Sequence, residues 1–402
     1  MRNKVSYKLN VKEIGKNPSC IIKHDRFKLD LFHNEEDPPS ANRVKISNGI
    51  LDIEMLPSKG FSLGQAWIKG RPLFWDAPIY LPDTETLDLW SDEICINGIP
   101  APGFTFLKTL TGGVEMYGLN NWGMPVMNQG KLYLLHGETS NVPVSEIIFT
   151  PDGNQCTIEA SFTYRTFEGD SDKPWYERGN PIFRIIKKLI MFENSTVIRL
   201  KDIIENISGQ IQTPDWGYHI TFRPEEGARY LVPSGHAGVR GGGQLPDDIE
   251  TWHEAADKNV RTETGIIHKG LAITKPSGEE ETTSLLLYPD KTGIAVSVPP
   301  TPYFQTWFCC GGKGSKEFTF RNGESLLKKN WDGMGIEIGS GPLDHDGNID
   351  KSVKYEPVLE PGKIKEINIG ISFPEGDELT SLRKKIERVT AGRKSNGQDY
   401  PG

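Results

Sequence analysis

The sequence predicts an all-β protein, a large antiparallel β-sandwich or barrel with few short helices. Short runs rich in β-branched and aromatic residues recur between turn signals, and Gly (43) and Pro (28) are plentiful in the 402 residues. Only two segments carry helical spacing. The runs at 49–56, 155–167, 182–192, 197–207, 283–288, 293–298, 317–320 and 364–373 read as strands. Residues 84–95 read as a few helical turns. Residues 375–389 read as a helix, with a capping-like start and Leu379, Leu382 and Ile386 on one face.

A chain of this length with 36% apolar residues can bury a large core, and all-β domains often exceed about 200 residues undivided. Residues 1–40 read as an N-terminal arm packed on the main domain, ending in a charged, Pro-containing stretch at 33–40. The main domain spans 41–390, and 391–402 reads as a flexible tail. There is no internal repeat and no low-complexity tract. Long loops are expected at 168–180 and 234–258. Within the second, G-H-A-G-V-R-G-G-G (235–243) superficially suggests a phosphate loop but lacks the strand-to-helix context.

A formal net charge of −8 without a basic patch argues against nucleic acid or an anionic membrane as partner. The densest basic cluster, Lys384, Lys385 and Arg388, reads as a solvated helix face. No stretch approaches the ~20 apolar residues of a membrane span, and the N-terminus lacks a signal-like run. The five cysteines make no disulfide framework: Cys309 and Cys310 are adjacent, and Cys20, Cys95 and Cys156 are scattered. A reduced, cytoplasmic compartment is the expectation. The sequons at Asn194 and Asn206 carry no weight in that setting.

The chemistry is concentrated in a few strands. Trp216 to Phe222 read W-G-Y-H-I-T-F. Successive side chains of a strand point to opposite faces, so Trp216, Tyr218, Ile220 and Phe222 share an apolar face. His219 shares the other with Gly217 and Thr221, where there is little bulk. W-D-G-M-G-I-E-I-G (Trp331 to Gly339) is built alike, with Glu337 among Gly333, Gly335 and Gly339. A histidine and a glutamate on glycine-cleared faces are the parts of a general acid–base pair.

His136 ends an apolar run, L-Y-L-L-H-G, before a glycine that permits a turn and a close ligand. A buried histidine donating to a backbone carbonyl explains it equally well. His24, His33, His236, His253, His268 and His345 lie in polar or loop contexts and read as surface residues. Two histidines and a glutamate could hold zinc, but far apart in sequence and with no close-spaced pair; metal ranks below acid–base work, and no metal or cofactor is expected. P-Y-F-Q-T-W-F places Tyr303, Gln305 and Trp307 on one face, where flat rings could cover a sugar's C–H face while the amide bonds hydroxyls. Such stripes are more often core. Nine tryptophans fit a carbohydrate protein weakly.

These stretches resemble the galactose-mutarotase-like, or aldose 1-epimerase-like, proteins, and within them a bacterial branch. The resemblance covers most of 42–373. It runs through N-G-I-L-D-I-E-M-L-P-S-K-G-F-S-L-G-Q-A-W-I-K-G-R-P-L, T-G-G-V-E-M-Y-G-L-N-N-W-G and L-H-G-E-T-S-N-V-P, and closes with Y-H-I-T-F, P-Y-F-Q-T-W and G-I-E-I. It implies the family's large β-sandwich (a supersandwich), His219 as general acid, Glu337 as general base, and His136 binding substrate near the ring oxygen. The branch usually has R-G-M-D-I where this chain has Lys59, Gly60, Phe61, Ser62 and Leu63, and a glycine where it has Arg223. Those departures bear on the substrate more than on the mechanism.

The expected function is interconversion of sugar anomers by acid–base ring opening, with a small sugar as partner. Lys59, Arg71 and Arg223 are charged candidates for binding hydroxyls or an acidic group, each also readable as an ordinary surface or ion-pair residue. One rival is a non-catalytic sugar-binding protein on the same fold. Another is a different sugar epimerase or a glycoside-cleaving enzyme, which typically needs two carboxylates and would have to recruit Asp332. The sequence does not specify the sugar or the oligomeric state.

Overall fold

The fold was obtained as a computed structural model. It describes residues 5–12, 19–169, 172–234, 236–239, 250–253, 266–275, 281–301, 303–311, 316–340, 358–391 and 394–395. Among these, two large sheets dominate, and every strand pairing within them but one is antiparallel. The nine-stranded sheet contains the long meander Gln155–Arg165, Pro181–Phe192 and Val197–Asn206, continued by Ile364–Ser372. Gln155–Arg165 alternates buried and partly exposed residues throughout, as expected for a sheet with one face on the core.

The larger sheet carries the strands that hold the candidate residues. Its order includes Leu51–Leu56, Ser62–Ile68, β1 (Val114–Leu119), β2 (Asp215–Phe222), β4 (Trp331–Gly339) and β3 (Tyr303–Gly311). Residues 215–222 and 331–339 are buried on both faces rather than alternately. One face joins the main core, where Trp216, Tyr218, Ile220, Met334, Ile336 and Ile338 cluster with Ile185, Leu189 and Ile204 of the other sheet. The opposite face lies under a second cluster, including Trp75, Phe106, Tyr117, Trp122, Trp307 and Trp331. Two-sided burial explains why these strands are heavy in sequence, and it sets the site on a rigid floor.

The predicted strands fall within a few residues of those found, and residues 293–298 coincide with Gly293–Val298. The helix at 375–389 is α1, Gly376–Thr390, with Leu379 and Ile386 buried. The helix expected over 84–95 does not form: turns and irregular chain fill 84–93, and Ile94–Ile96 is a strand. Asp83 and Asp88 explain this, because their carboxylates accept the backbone N–H groups of Glu85 and Trp90, competing with a helical ladder. In the region read as an arm, Tyr7–Asn10 pairs with Glu146–Asp152, and Ser19–His24 and Phe27–His33 extend the larger sheet beside Asn42–Ser47. Of the glycine-rich run 235–243, only the strand backbone His236–Val239 lies among the described residues, and most of 391–402 lies outside them. No helix among them is long and apolar enough to cross a membrane.

Candidate active site

Register builds the site. Glu115 on β1 stands opposite His219 on β2, His219 opposite Glu337 on β4, and Glu337 opposite Gln305 on β3. Cross-strand partners project to the same side of a sheet, so four polar side chains form one row under the aromatic cluster. His219 Nε2 lies 3.4 Å from Glu337 Oε1 and 3.3 Å from His136 Nε2. The three residues are 5%, 8% and 9% exposed in the order His219, Glu337, His136.

His136 reaches this point from outside the sheet. The run 132–137 is not one strand: Lys131–Tyr133 belongs to a two-stranded ribbon, and the chain then bends. His136 takes a left-handed backbone (φ 57°), its N–H donating to Gly123 and its carbonyl accepting from Gly118. Gly118 (φ 90°) is required there, since a Cβ would run into the carbonyl oxygen of Asp215. His136 Nδ1 lies 2.5 Å from the carbonyl oxygen of Trp122. A carbonyl only accepts, so Nδ1 carries the proton and Nε2 of the neutral ring faces His219 through its lone pair. The reading of His136 as a buried histidine donating to a backbone carbonyl therefore holds on Nδ1, while Nε2 is left facing His219.

Burial, followed by the neighbouring His136, pushes the His219 pKa well below the usual imidazole value. Its Nδ1 is buried without a hydrogen-bond partner among the described residues. Phe106, Tyr117, Trp122 and Trp307 wall the imidazole, with ring centroids 5.4, 5.2, 5.9 and 6.1 Å away.

The glycines beside His219 and Glu337 do not leave the empty space expected of them. The Trp122 indole lies on Gly217 and Gly339, and the Trp307 indole on Gly333 and Gly335. A Cβ at Gly339 would stand 2.7 Å from Trp122 Nε1, and one at Gly335 2.9 Å from Trp307. The missing side chains admit indoles, and the indoles shape the space above His219 and Glu337.

The other candidates separate into two groups. Gln305 is buried in the row beside Glu337, and Trp307 packs two positions along the same strand face. Lys59 is not a surface cation but fully buried. Its Nζ donates to Asn141 Oδ1 (2.7 Å) and lies 3.3 Å from Glu115 Oε2. Burial lowers the Lys59 pKa, against the pull of Glu115. Arg71 and Arg223 belong to a different cluster: both bond Glu225, both lie over the Tyr288 ring, and Arg71 also binds Asp290. Asp332 alternates with Glu337 on β4 and points to the opposite face, so it does not make a carboxylate pair with it.

Glu115, Phe106, Tyr117 and Trp122 were missed in sequence. Glu115 accepts the Thr111 N–H (2.9 Å), the Gly112 N–H and the Tyr117 hydroxyl (2.8 Å). The signal for it was present in V-E-M-Y, where an acid and a tyrosine alternate with core residues beside paired glycines.

The chain is thus an antiparallel all-β protein, with this row on its larger sheet and a histidine brought in from the side. Residues 39–307 match the model of the family described as a domain of unknown function (DUF4432), and the chain belongs to that family. No curated protein matches it. It is similar to a candidate aldose 1-epimerase from Klebsiella pneumoniae subsp. pneumoniae, with a TM-score of 0.70 at 16% identity over 98% of this chain and 94% of that one. It is also similar to the Slr1438 protein of Synechocystis sp. PCC 6803, with a TM-score of 0.50 at 14% identity over 86% and 99%. At these identities the likeness is one of fold.

Proposed function

We propose that the protein is an isomerase of the aldose 1-epimerase type, opening and reclosing the ring of a sugar hemiacetal. The observation that carries this reading is the 3.4 Å approach of His219 Nε2 to Glu337 Oε1 beneath aromatic walls. Glu337 takes the proton of the anomeric hydroxyl while imidazolium His219 gives its Nε2 proton to the ring oxygen. The ring C–O bond breaks and the C1 carbonyl forms. Rotation about C1–C2 and the reverse transfers give the other anomer. Burial makes imidazolium His219 a stronger acid towards a weakly basic ring oxygen while disfavouring that form in the free protein. His136 and Gln305 flank the pair and hold the sugar, with Trp307 against its C–H face. The fully buried Lys59 has its own partners and supports the site rather than touching sugar.

Cys20, Cys95 and Cys156 are free thiols, which fits a reduced, cytoplasmic setting. The test is anomer exchange by NMR or polarimetry over a panel of aldoses and uronic acids. Acceleration is expected on at least one sugar that binds. A sugar that binds in this site without faster anomerisation would leave a binding protein instead.

A further inference from the structure

We propose that His136, His219 and Glu337 form a binding site for one divalent transition-metal ion of the Zn2+ class, and that the bound ion silences the acid–base pair. The silencing rests on the ring-opening reading; the ion binding does not. Sequence separation had counted against a metal, but the sheet register and the His136 bend cancel that separation in space.

Three observations carry the site. First, the donor atoms converge: the two Nε2 atoms are 3.3 Å apart, Nε2 of His219 and Oε1 of Glu337 are 3.4 Å apart, and all three donor atoms lie within 4.8 Å of one another. Ligands about 2.0–2.1 Å from one tetrahedral ion lie about 3.3–3.5 Å from each other, and two of the three separations already match. Second, the Trp122 carbonyl holds the proton of His136 on Nδ1, leaving Nε2 in the form that binds a metal. Third, the donors are buried under aromatic walls, where an ion competes with little water. Two imidazoles and a carboxylate suit Zn2+ and leave a coordination position for an exchangeable ligand.

Binding displaces the Nε2 proton of His219 and occupies the Glu337 oxygen that would accept the anomeric proton. Ion and proton transfer therefore exclude each other. Only His136 has an anchored second nitrogen, since Nδ1 of His219 lacks a partner among the described residues. An unanchored ligand costs about 10–100-fold in affinity, so the ion is expected to be removable by chelators.

The experiment uses the full-length chain after chelator treatment. Zn2+ is titrated against a competing indicator dye, and Co2+ is followed by the visible absorption of a tetrahedral complex. One ion per chain is expected, with affinity falling about 100-fold or more in His136→Ala and His136→Gln. Circular dichroism establishes that at least one of these variants is folded. His253→Ala, in the exposed His253–Glu226 pair, should bind as wild type does. Absent one-to-one binding, or binding unchanged in a folded His136 variant, overturns the site. Chelated protein should keep its anomerase activity and lose it as Zn2+ fills the site. If zinc instead restores an activity that chelation abolished, the site stands and the metal-free acid–base reading fails.

Discussion

Lys59 and Glu115 face each other across a gap closed to water, with Nζ 3.3 Å from Oε2 and both side chains fully buried. Lys59 also holds Asn141, just beyond the His136 bend, while Glu115 stands opposite His219. The pair thus ties the two histidine-bearing segments together. Lys59→Met is expected to cost about 3–5 kcal/mol by stranding the Glu115 charge. Lys59→Met/Glu115→Gln should recover part of it. Urea unfolding of the two single variants and the double variant gives the coupling, and simple additivity would remove the tie.

His219→Ala and Glu337→Gln should each lower the anomerisation rate about 10²–10⁴-fold while sugar binding persists. Progress curves by polarimetry, paired with calorimetric binding of the same sugar, separate the two effects. A variant that loses binding and rate together would make its residue a binding group.

Gly217→Ala and Gly339→Ala should drive Trp122 off the sheet and destabilise the fold by about 1–3 kcal/mol. The Trp122 carbonyl orients His136, so the rate should fall in folded variants as well. Thermal unfolding and kinetics on the same preparations check both. Unchanged stability would mean that the indole has room to move.

Asp215 accepts the Trp122 N–H (2.8 Å) and the Ser340 hydroxyl (2.9 Å), yet burial raises its pKa above the usual 3.8. A raised folded value means that the folded chain keeps this proton longer than the unfolded chain. The resulting stability is present in full below the unfolded value and disappears as pH rises through the folded one. Wild type should therefore lose stability relative to Asp215→Asn as pH rises from about 4 towards neutrality, by at most about 1.4 kcal/mol per pH unit. Urea unfolding at several pH values measures the difference, and parallel profiles would remove Asp215 as its source.

The strand faces were legible because their period is local: seven residues suffice to put His219 on one side and Trp216, Tyr218, Ile220 and Phe222 on the other. Pairing His219 with Glu337 needed only the likeness between two such stretches. What covers those faces was not legible. Trp122 lies far in sequence from the glycines it packs on, and nothing near Lys59 announces Glu115 or Asn141. Arg71 and Arg223 show the same limit. In sequence each reads equally as a ligand-binding cation or an ion-pair member, and only the fold puts Glu225 and Asp290 beside them. The absent helix at 84–95 turned on two aspartates whose side chains compete for backbone donors.

Assembling the row from separate strands also orders its appearance in time. A chain leaves the ribosome N-terminus first, so β1 and β2 are synthesised well before β4 supplies Glu337. Until then both histidines exist without their carboxylate, and one edge of β2, apolar and aromatic, lacks its neighbour. Such an edge invites pairing with other chains. Completion of residues 331–339 therefore does two things at once: it covers that open edge and brings the carboxylate to the histidines.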